Sequence, residues 1–352
     1  MSNLAQKYRP NKFDDVVEQG LVVTMLRKLC EDPNMTIRNF LLIGPAGTGK
    51  TTLGRIMSTT INDGIDSNIE MDAASHGGVE DVKKLIEQSR TYPIDSKYKI
   101  FIIDECHSLS SSSWQALLKT LEENPAKTVF IFLTTNPEKI PATILSRVQT
   151  FQLSKISVDG IIGRLKYVID QENAEGRHIT YTEDAISYIA KLSGGGMRDS
   201  LTLLDKALAY SEDLTSETLM KSLNLPKYDD YFALLASYAK HDNETITKIL
   251  NNVYNSGVNF VKWIEGFHSF VTNVTKYIFM QDITATMIPA HYKDKVANYG
   301  IKHSIICMKL SNLLLRLISD LKSTTYLQEV ALTYLCTPIP VQKKEQKSDV
   351  KS

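Results

Sequence analysis

The sequence predicts an α/β fold built on a parallel sheet, followed by a small helical domain and an all-α C-terminal region. Three observations carry this. Gly44-Pro-Ala-Gly-Thr-Gly-Lys-Thr51 spells the phosphate-binding pattern G-x-x-x-x-G-K-[ST]. Further on, Ile100-Phe-Ile-Ile-Asp104-Glu105 is an apolar run that ends in two acids. Short runs rich in Ile, Val and Phe alternate with helical patterns up to about residue 157, and beyond it only helical patterns remain.

The elements follow in order. Strands are expected at Asn39–Ile43, Ile69–Asp72, Tyr98–Ile103, Thr128–Leu133 and Thr150–Leu153. Helical segments between most of them imply a parallel sheet covered on both faces. One helix opens at Thr51. Another is marked by Trp114, Leu117, Leu118 and Leu121 at i, i+3, i+4, i+7 spacing after a Ser110–Ser113 cap, a stripe read as core packing. From 158 to 222 no strand is expected, only short helices at Val158–Asn173, Glu183–Ser193, Met197–Tyr210 and Ser216–Leu223, with Gly194-Gly-Gly196 breaking the second from the third. Longer helices follow from 223. Phe260, Trp263, Ile264, Phe267, Val271, Val274 and Ile278 share one face, and Ile306, Leu310, Leu313, Leu314, Leu317 and Leu321 share another, as core or subunit interface. The Lys-rich stretch 341–352 reads as a solvated, disordered end.

Composition narrows the function classes. Of 352 residues, 43% are hydrophobic and 23% charged, a balance that supports two or three folded domains and excludes disorder over most of the length. Forty basic residues balance forty acidic ones. A uniformly basic nucleic-acid coat is thereby excluded, and any such contact must be a local basic stripe. The four cysteines, Cys30, Cys106, Cys307 and Cys336, form no C-x-x-C pair, so no zinc site is expected and a reducing cytoplasm is. The first ten residues lack the apolar core of a signal peptide. The greasiest stretch, 304–321, carries Lys309, Arg316 and Asp320, so no membrane span is expected.

The loop's spelling has a chemical reason. Gly44, Gly47 and Gly49 let backbone N–H groups turn inward around phosphate oxygens, with Pro45, Ala46 and Thr48 completing the loop and Thr52 following it. The helix N-terminus adds its positive dipole end. Lys50 places a compact charge on the β- and γ-phosphates, and the Thr51 hydroxyl completes a Mg²⁺ shell. At the C-terminal end of its strand, where open α/β sheets place ligands, Asp104 can hold the same Mg²⁺ and Glu105 can orient or deprotonate a water. ATP hydrolysis, or at least regulated ATP binding, follows as an expectation. Cys106 and His107 are too few for a metal site and read as structural or packing residues.

Several motifs lie outside this chemistry. They are Lys7-Tyr8-Arg9-Pro10 with Phe13-Asp-Asp-Val-Val17 and Gln19, Asp72-Ala-Ala-Ser-His76, Ala116-Leu-Leu-Lys-Thr-Leu-Glu-Glu123, Thr134-Thr135-Asn136-Pro137, Ser146-Arg147 and Gly195-Gly-Met-Arg198-Asp-Ser-Leu201. Together they resemble the AAA+ clamp-loader ATPases, in particular the gamma/tau subunits of bacterial DNA polymerase III and less closely the small subunits of replication factor C. The motifs run from residue 7 to about 205. The resemblance implies an AAA+ ATP-binding domain over 1–157, a lid over 158–222 and an oligomerising collar over 223–340. Tyr8, Arg9 and Pro10 would lie beside the adenine. Asn136 or Thr135 would sense the γ-phosphate or the attacking water. Arg198 would contact phosphate in cis, and Arg147 would reach into the ATP site of the adjacent subunit.

The implied partners are other clamp-loader subunits in a pentameric ring, a sliding clamp, primer–template DNA and a replicative polymerase. Helix starts near Gly77-Gly78 and Ser110–Ser113, with Lys83 and Lys84, are the candidate DNA contacts. Val148 replaces the family's cysteine after the arginine. The family's four-cysteine zinc module is absent between 52 and 72, and its long polymerase- and helicase-contacting extension is not among these residues, as expected of a streamlined or virus-encoded loader or of a shortened chain. The alternatives weighed are an AAA+ DNA motor, such as a Holliday-junction branch-migration ATPase or helicase, and a non-enzymatic subunit of the same assembly. Lys50, Thr51, Asp104 and Glu105 favour an active ATPase over the last.

Overall fold

A computed structural model describes residues 3–123, 125, 127–223, 227–283, 285–289 and 292–336, with only the backbone helix described at 299–303. The expected tail at 341–352 lies outside the described residues. The chain separates into two compact units, 1–218 and 219–352.

The first unit is built on five parallel strands: β1 (Asn39–Ile43), β2 (Asn68–Asp72), β3 (Lys99–Asp104), β4 (Thr128–Thr134) and β5 (Gln149–Gln152), in the order β2-β3-β4-β1-β5. Alternation sorts their side chains into two cores. Phe40, Leu42, Ile100, Ile102, Val129, Ile131 and Leu133 face one way, onto Val23 and Leu26 of the helix Gly20–Cys30 and onto Leu53, Ile56 and Met57 of the helix Lys50–Ile61. Leu41, Phe101, Ile103, Phe130 and Phe132 face the other way, onto Val82 and Leu85 of the helix Val79–Ser89 and onto Trp114, Leu117 and Leu121 of the helix Ser111–Glu123. Every residue of β4 is buried. This is what a central parallel strand covered on both faces requires, and each fully buried large apolar side chain contributes about 1.5–3 kcal/mol. The edge strand β2 is half-exposed. Within the second core Phe101 stacks on Phe130 at 5.4 Å, and Trp114 lies 5.7 Å from Phe132.

Helices Val158–Ala174, Glu183–Leu192, Met197–Tyr210 and Ser216–Ser222 follow. The expectation of no strand in this stretch is corrected. Thr180–Tyr181 (β6) pairs in parallel with Asp213–Leu214 (β7). Two-residue strands carry no periodicity, so no sequence pattern marks them.

In the second unit every described element is a helix: Tyr228–Lys240, Asn243–Asn255, Phe260–Met280, Lys293–Leu321 and Leu327–Leu335. Its core is aromatic. Tyr231 packs 5.0 Å from Trp263, and Phe232 meets Phe270 edge-on at 4.8 Å. Phe260, Trp263, Ile264, Phe267, Val271 and Val274 are buried as one face, whereas Ile278 is only half-buried. Leu310, Leu314, Leu317 and Leu321 are buried on the long helix, with Ile306 and Leu313 half-buried.

Candidate nucleotide site

Strand order builds the site. β4 lies between β1 and β3, so the C-terminal ends of these three strands place the phosphate-binding loop, Thr134–Asn136 and Asp104–Glu105 side by side. In the loop, Gly47 and Gly49 take φ of +73° and +102°, the left-handed region that favours glycine. A Cβ on Gly47 would also stand 2.9 Å from Gly196 Cα. Lys50 is 6% exposed, and its ammonium donates to the carbonyls of Gly44 (2.9 Å) and Pro45 (3.0 Å). Burial pulls its pKa down, against the opposing charges of Glu105 and Asp104.

The Thr51 hydroxyl donates to Asp104 Oδ2 at 2.7 Å. A hydroxyl and a carboxylate meeting beside a phosphate-binding loop form the hard-oxygen donor set that Mg²⁺ takes, so these residues fit the ion. Glu105 follows with φ +46°, its N–H donating to Asp104 Oδ1 at 2.9 Å. Thr135 Oγ1 donates to Glu105 Oε2 at 3.2 Å. The Asn136 N–H donates to Thr134 Oγ1 at 3.0 Å.

A cleft with ≈ 1060 Å³ of empty space, part of it open to solvent, runs over this edge. Ala46, Gly47, Thr48, Gly49, Lys50, Thr51, Thr52, Asp104 and Glu105 line it, as do Tyr8, Arg9, Pro10 and Arg198. Gly44, Pro45, Thr135 and Asn136 are not on its wall. Gly44 packs against β5, where an added Cβ would lie 2.9 Å from the Leu153 carbonyl oxygen. Thr135 reaches the cleft through Glu105.

The N-terminal wall is anchored to the helix Val158–Ala174. Arg164 Nη2 donates to the Tyr8 carbonyl at 2.8 Å. The Tyr8 hydroxyl and Lys7 Nζ donate to Glu172 Oε1 at 2.7 and 2.6 Å, and Arg177 donates to Glu172 Oε2 at 3.2 Å. Glu172 is 4% exposed. Burial alone would raise its carboxyl pKa, but the donors Lys7, Tyr8 and Arg177 outweigh burial and hold it below the ordinary value. Burial and the bond to Glu172 push the Tyr8 hydroxyl up to about 12. Burial, with Arg55 and Arg198 nearby, lowers the Arg9 pKa. Arg198 is the second residue of the helix Met197–Tyr210, and the Met197 N–H donates to the Gly47 carbonyl at 2.9 Å, tying that helix to the loop.

Arg147 is not brought to this cleft. It precedes β5 and pairs with Glu122, and it donates to the Thr143 carbonyl at 2.6 Å. Of the candidate DNA contacts, Lys83 pairs with Glu80 at 2.9 Å on an exposed helix face, and Ser113 donates to the Gly77 carbonyl at 2.9 Å.

Arg164 and Glu172 went unread because their partners lie 156 and 164 residues away, and no local pattern marks such a pair. The packing reading holds for Cys106, which is fully buried. His107 is half-buried and fits the structural side of that reading, its Nδ1 lying 3.1 Å from Thr134 Oγ1 and 3.3 Å from Glu105 Oε2. A lone histidine after two acids does not reveal which strand its ring meets.

Two family models match: "DNA polymerase III, delta subunit" over residues 55–157, and "DNA polymerase III clamp loader subunit, ATPase lid domain" over 160–213. The DNA polymerase III subunit gamma/tau of Mycoplasma genitalium is 32% identical over 327 residues, covering 86% of this chain and 54% of the relative. The subunit gamma of Buchnera aphidicola subsp. Baizongia pistaciae is 33% identical over 279 residues, 73% of this chain and 74% of the relative. The chain spans about half the length of several of the curated relatives it matches. Among solved structures, RuvB, the Holliday junction branch migration motor of Thermotoga maritima, superposes with a TM-score of 0.52 at 17% identity over 65% of this chain and 78% of that one, a likeness of fold alone. The fold is therefore a parallel-sheet α/β P-loop NTPase fold with an ATPase lid and a helical C-terminal region, and by its sequence the chain belongs to the DNA polymerase III gamma/tau family.

Proposed function

We propose that this chain is an ATP-hydrolysing clamp-loader subunit that helps open a sliding clamp and place it on primer–template DNA. One observation carries the reading. In a member of the gamma/tau family, Lys50, Thr51, Asp104 and Glu105 all meet at one cleft, with Thr51 bonded to Asp104 at 2.7 Å. A subunit without enzymatic work has no need of that constellation.

In this reading the loop N–H groups and Lys50 bind the phosphates, and Tyr8, Arg9 and Pro10 wall the base side. Thr51 and Asp104 would hold Mg²⁺, which supplies positive charge beside the phosphate oxygens. Glu105 takes the proton of the attacking water, with Thr135 or Asn136 completing its orientation. Arg198 neutralises phosphate charge from the same chain, and Arg147 does so from a neighbouring subunit. The 158–222 helices act as lid and 223–340 as the collar of a ring, which we take to be pentameric. DNA is held through phosphates without base readout, which suits a task independent of sequence. A cytoplasmic, replication-fork location follows from this role. Among the described residues no helix is long and apolar enough to cross a membrane.

The test is ATP turnover with and without primed DNA and a sliding clamp. Synergistic stimulation by both supports the loader. Stimulation by DNA alone, with strand displacement or junction migration, supports the motor that the fold likeness to RuvB brings to mind. Against the motor, a winged helix with a β-hairpin is required in the C-terminal third, where every described element is a helix.

A further inference from the structure

We infer that His107 is the positioning residue for Glu105, and that it links this carboxylate to the strand end carrying Thr134 and Asn136. The inference rests on the ATPase reading above. His107 lies in the short 3₁₀ turn Cys106–Ser108 directly after β3, with its side chain 16% exposed. Its Nδ1 stands 3.1 Å from Thr134 Oγ1 and 3.3 Å from Glu105 Oε2. Thr134 is fully buried, and its Oγ1 also accepts the Asn136 N–H at 3.0 Å.

The chemistry of the donors decides the tautomer. A carboxylate oxygen beside a bare ring lone pair is repulsive, so the Nδ1 facing it carries the hydrogen; that N–H is directed at Thr134 Oγ1, and Glu105 Oε2 meets it as a charge contact at 3.3 Å. Oε2 then accepts from Thr135 and faces the N–H edge of the His107 ring, two groups that stand on different strand ends. Glutamate has three rotatable side-chain bonds, and this one is 37% exposed at the side chain, so nothing in its own chain holds the carboxylate still. Its backbone is also left-handed, a conformation that a residue other than glycine keeps only when its surroundings hold it. Holding Oε2 from two sides fixes the plane of the group that takes the proton from water. The same Thr134 hydroxyl that meets His107 receives the Asn136 N–H, so a shift of the β4 end reaches Glu105 through one imidazole. Filling space needs a ring of this size but does not need its Nδ1 between two oxygens.

The experiment uses the full chain with Mg-ATP, measuring kcat and KM for hydrolysis and nucleotide affinity separately. An asparagine amide nitrogen takes the place of Nδ1, and a glutamine amide nitrogen takes the place of Nε2. The expected result is that His107→Ala and His107→Gln lower kcat about tenfold with KM and nucleotide affinity within about twofold, while His107→Asn keeps most of the wild-type kcat. Equal losses in the Asn and Gln variants, an unchanged kcat in all three, or a raised kcat in His107→Ala would overturn the inference while leaving the ATPase reading intact. Should the alanine variant fail to fold, the Asn and Gln pair decides, since both keep a polar side chain at the position. Wild-type turnover no higher than that of Lys50→Ala would overturn the ATPase reading itself, and this inference with it.

Discussion

Asn39 Nδ2 donates to the carbonyl oxygen of Arg147 at 3.3 Å, which fixes Arg147 at the edge of the sheet opposite the phosphate-binding loop. Asn39 is the first residue of β1, and Gly44 follows the last. Five strand residues at about 3.3 Å each separate the two edges by roughly 16 Å. One side chain does not cross that distance, so Arg147 does not reach the phosphate-binding loop of its own chain, as the proposed role in a neighbouring site requires. Its pair with Glu122 is half exposed, and such a pair is worth about 0–1 kcal/mol, so releasing it for a partner's site costs little.

Lys50→Ala is expected to lower nucleotide affinity at least about a hundredfold, because it removes the ammonium buried against the loop carbonyls of Gly44 and Pro45. Glu105→Gln is expected to bind ATP with near wild-type affinity and to lose turnover about a hundredfold or more. Nucleotide titration and single-turnover hydrolysis separate the two. Normal hydrolysis by Glu105→Gln would remove the base assignment.

Thr51→Val and Asp104→Asn should lose the part of ATP affinity that depends on Mg²⁺, and keep the part measured with chelator present. The two oxygens meet at 2.7 Å, so either change halves one donor set. Titrations with and without chelator read the difference directly.

Gly47→Ala combines a left-handed φ of +73° with a Cβ placed 2.9 Å from Gly196 Cα. A loss of about 1–3 kcal/mol in stability is expected, with weaker nucleotide binding, since the same glycine accepts the Met197 N–H. Denaturant melts of wild type and variant check it.

Glu172→Gln tests the anchor of the N-terminal wall. At neutral pH the variant should be less stable by about 1–3 kcal/mol, toward the low end because Lys7 and Arg177 remain near a third exposed and can turn to water. The folded-state pKa of Glu172 lies below its ordinary value of 4.5. The stabilisation is therefore complete above 4.5 and lost as pH falls through the folded value. The gap between wild-type and variant denaturation midpoints should close on acidification, and a gap that stays constant with pH would remove the charge from the explanation.

Much of the site was legible because its signals are local. The five sheet strands alternate or run apolar, and the loop and the two acids each lie within a few consecutive residues. Trp114, Leu117 and Leu121 declared their buried face by spacing alone. What stayed hidden depends on contacts between distant residues. Glu172 meets Tyr8 across 164 positions, and His107 meets Thr134 across 27. The pair β6–β7 is too short for any period to register. Arg147 was singled out by resemblance alone, since no local pattern marks it; it stands just before β5, away from the loop of its own chain.

The most direct test of the whole account mixes Arg147→Ala subunits with wild-type subunits and follows ATP turnover against the mutant fraction. If a guanidinium from one chain completes the site of the next, turnover falls faster than the wild-type fraction, while Arg147→Ala subunits still bind nucleotide in their own loops. Turnover that falls only in proportion to the wild-type fraction, or not at all, would contradict it.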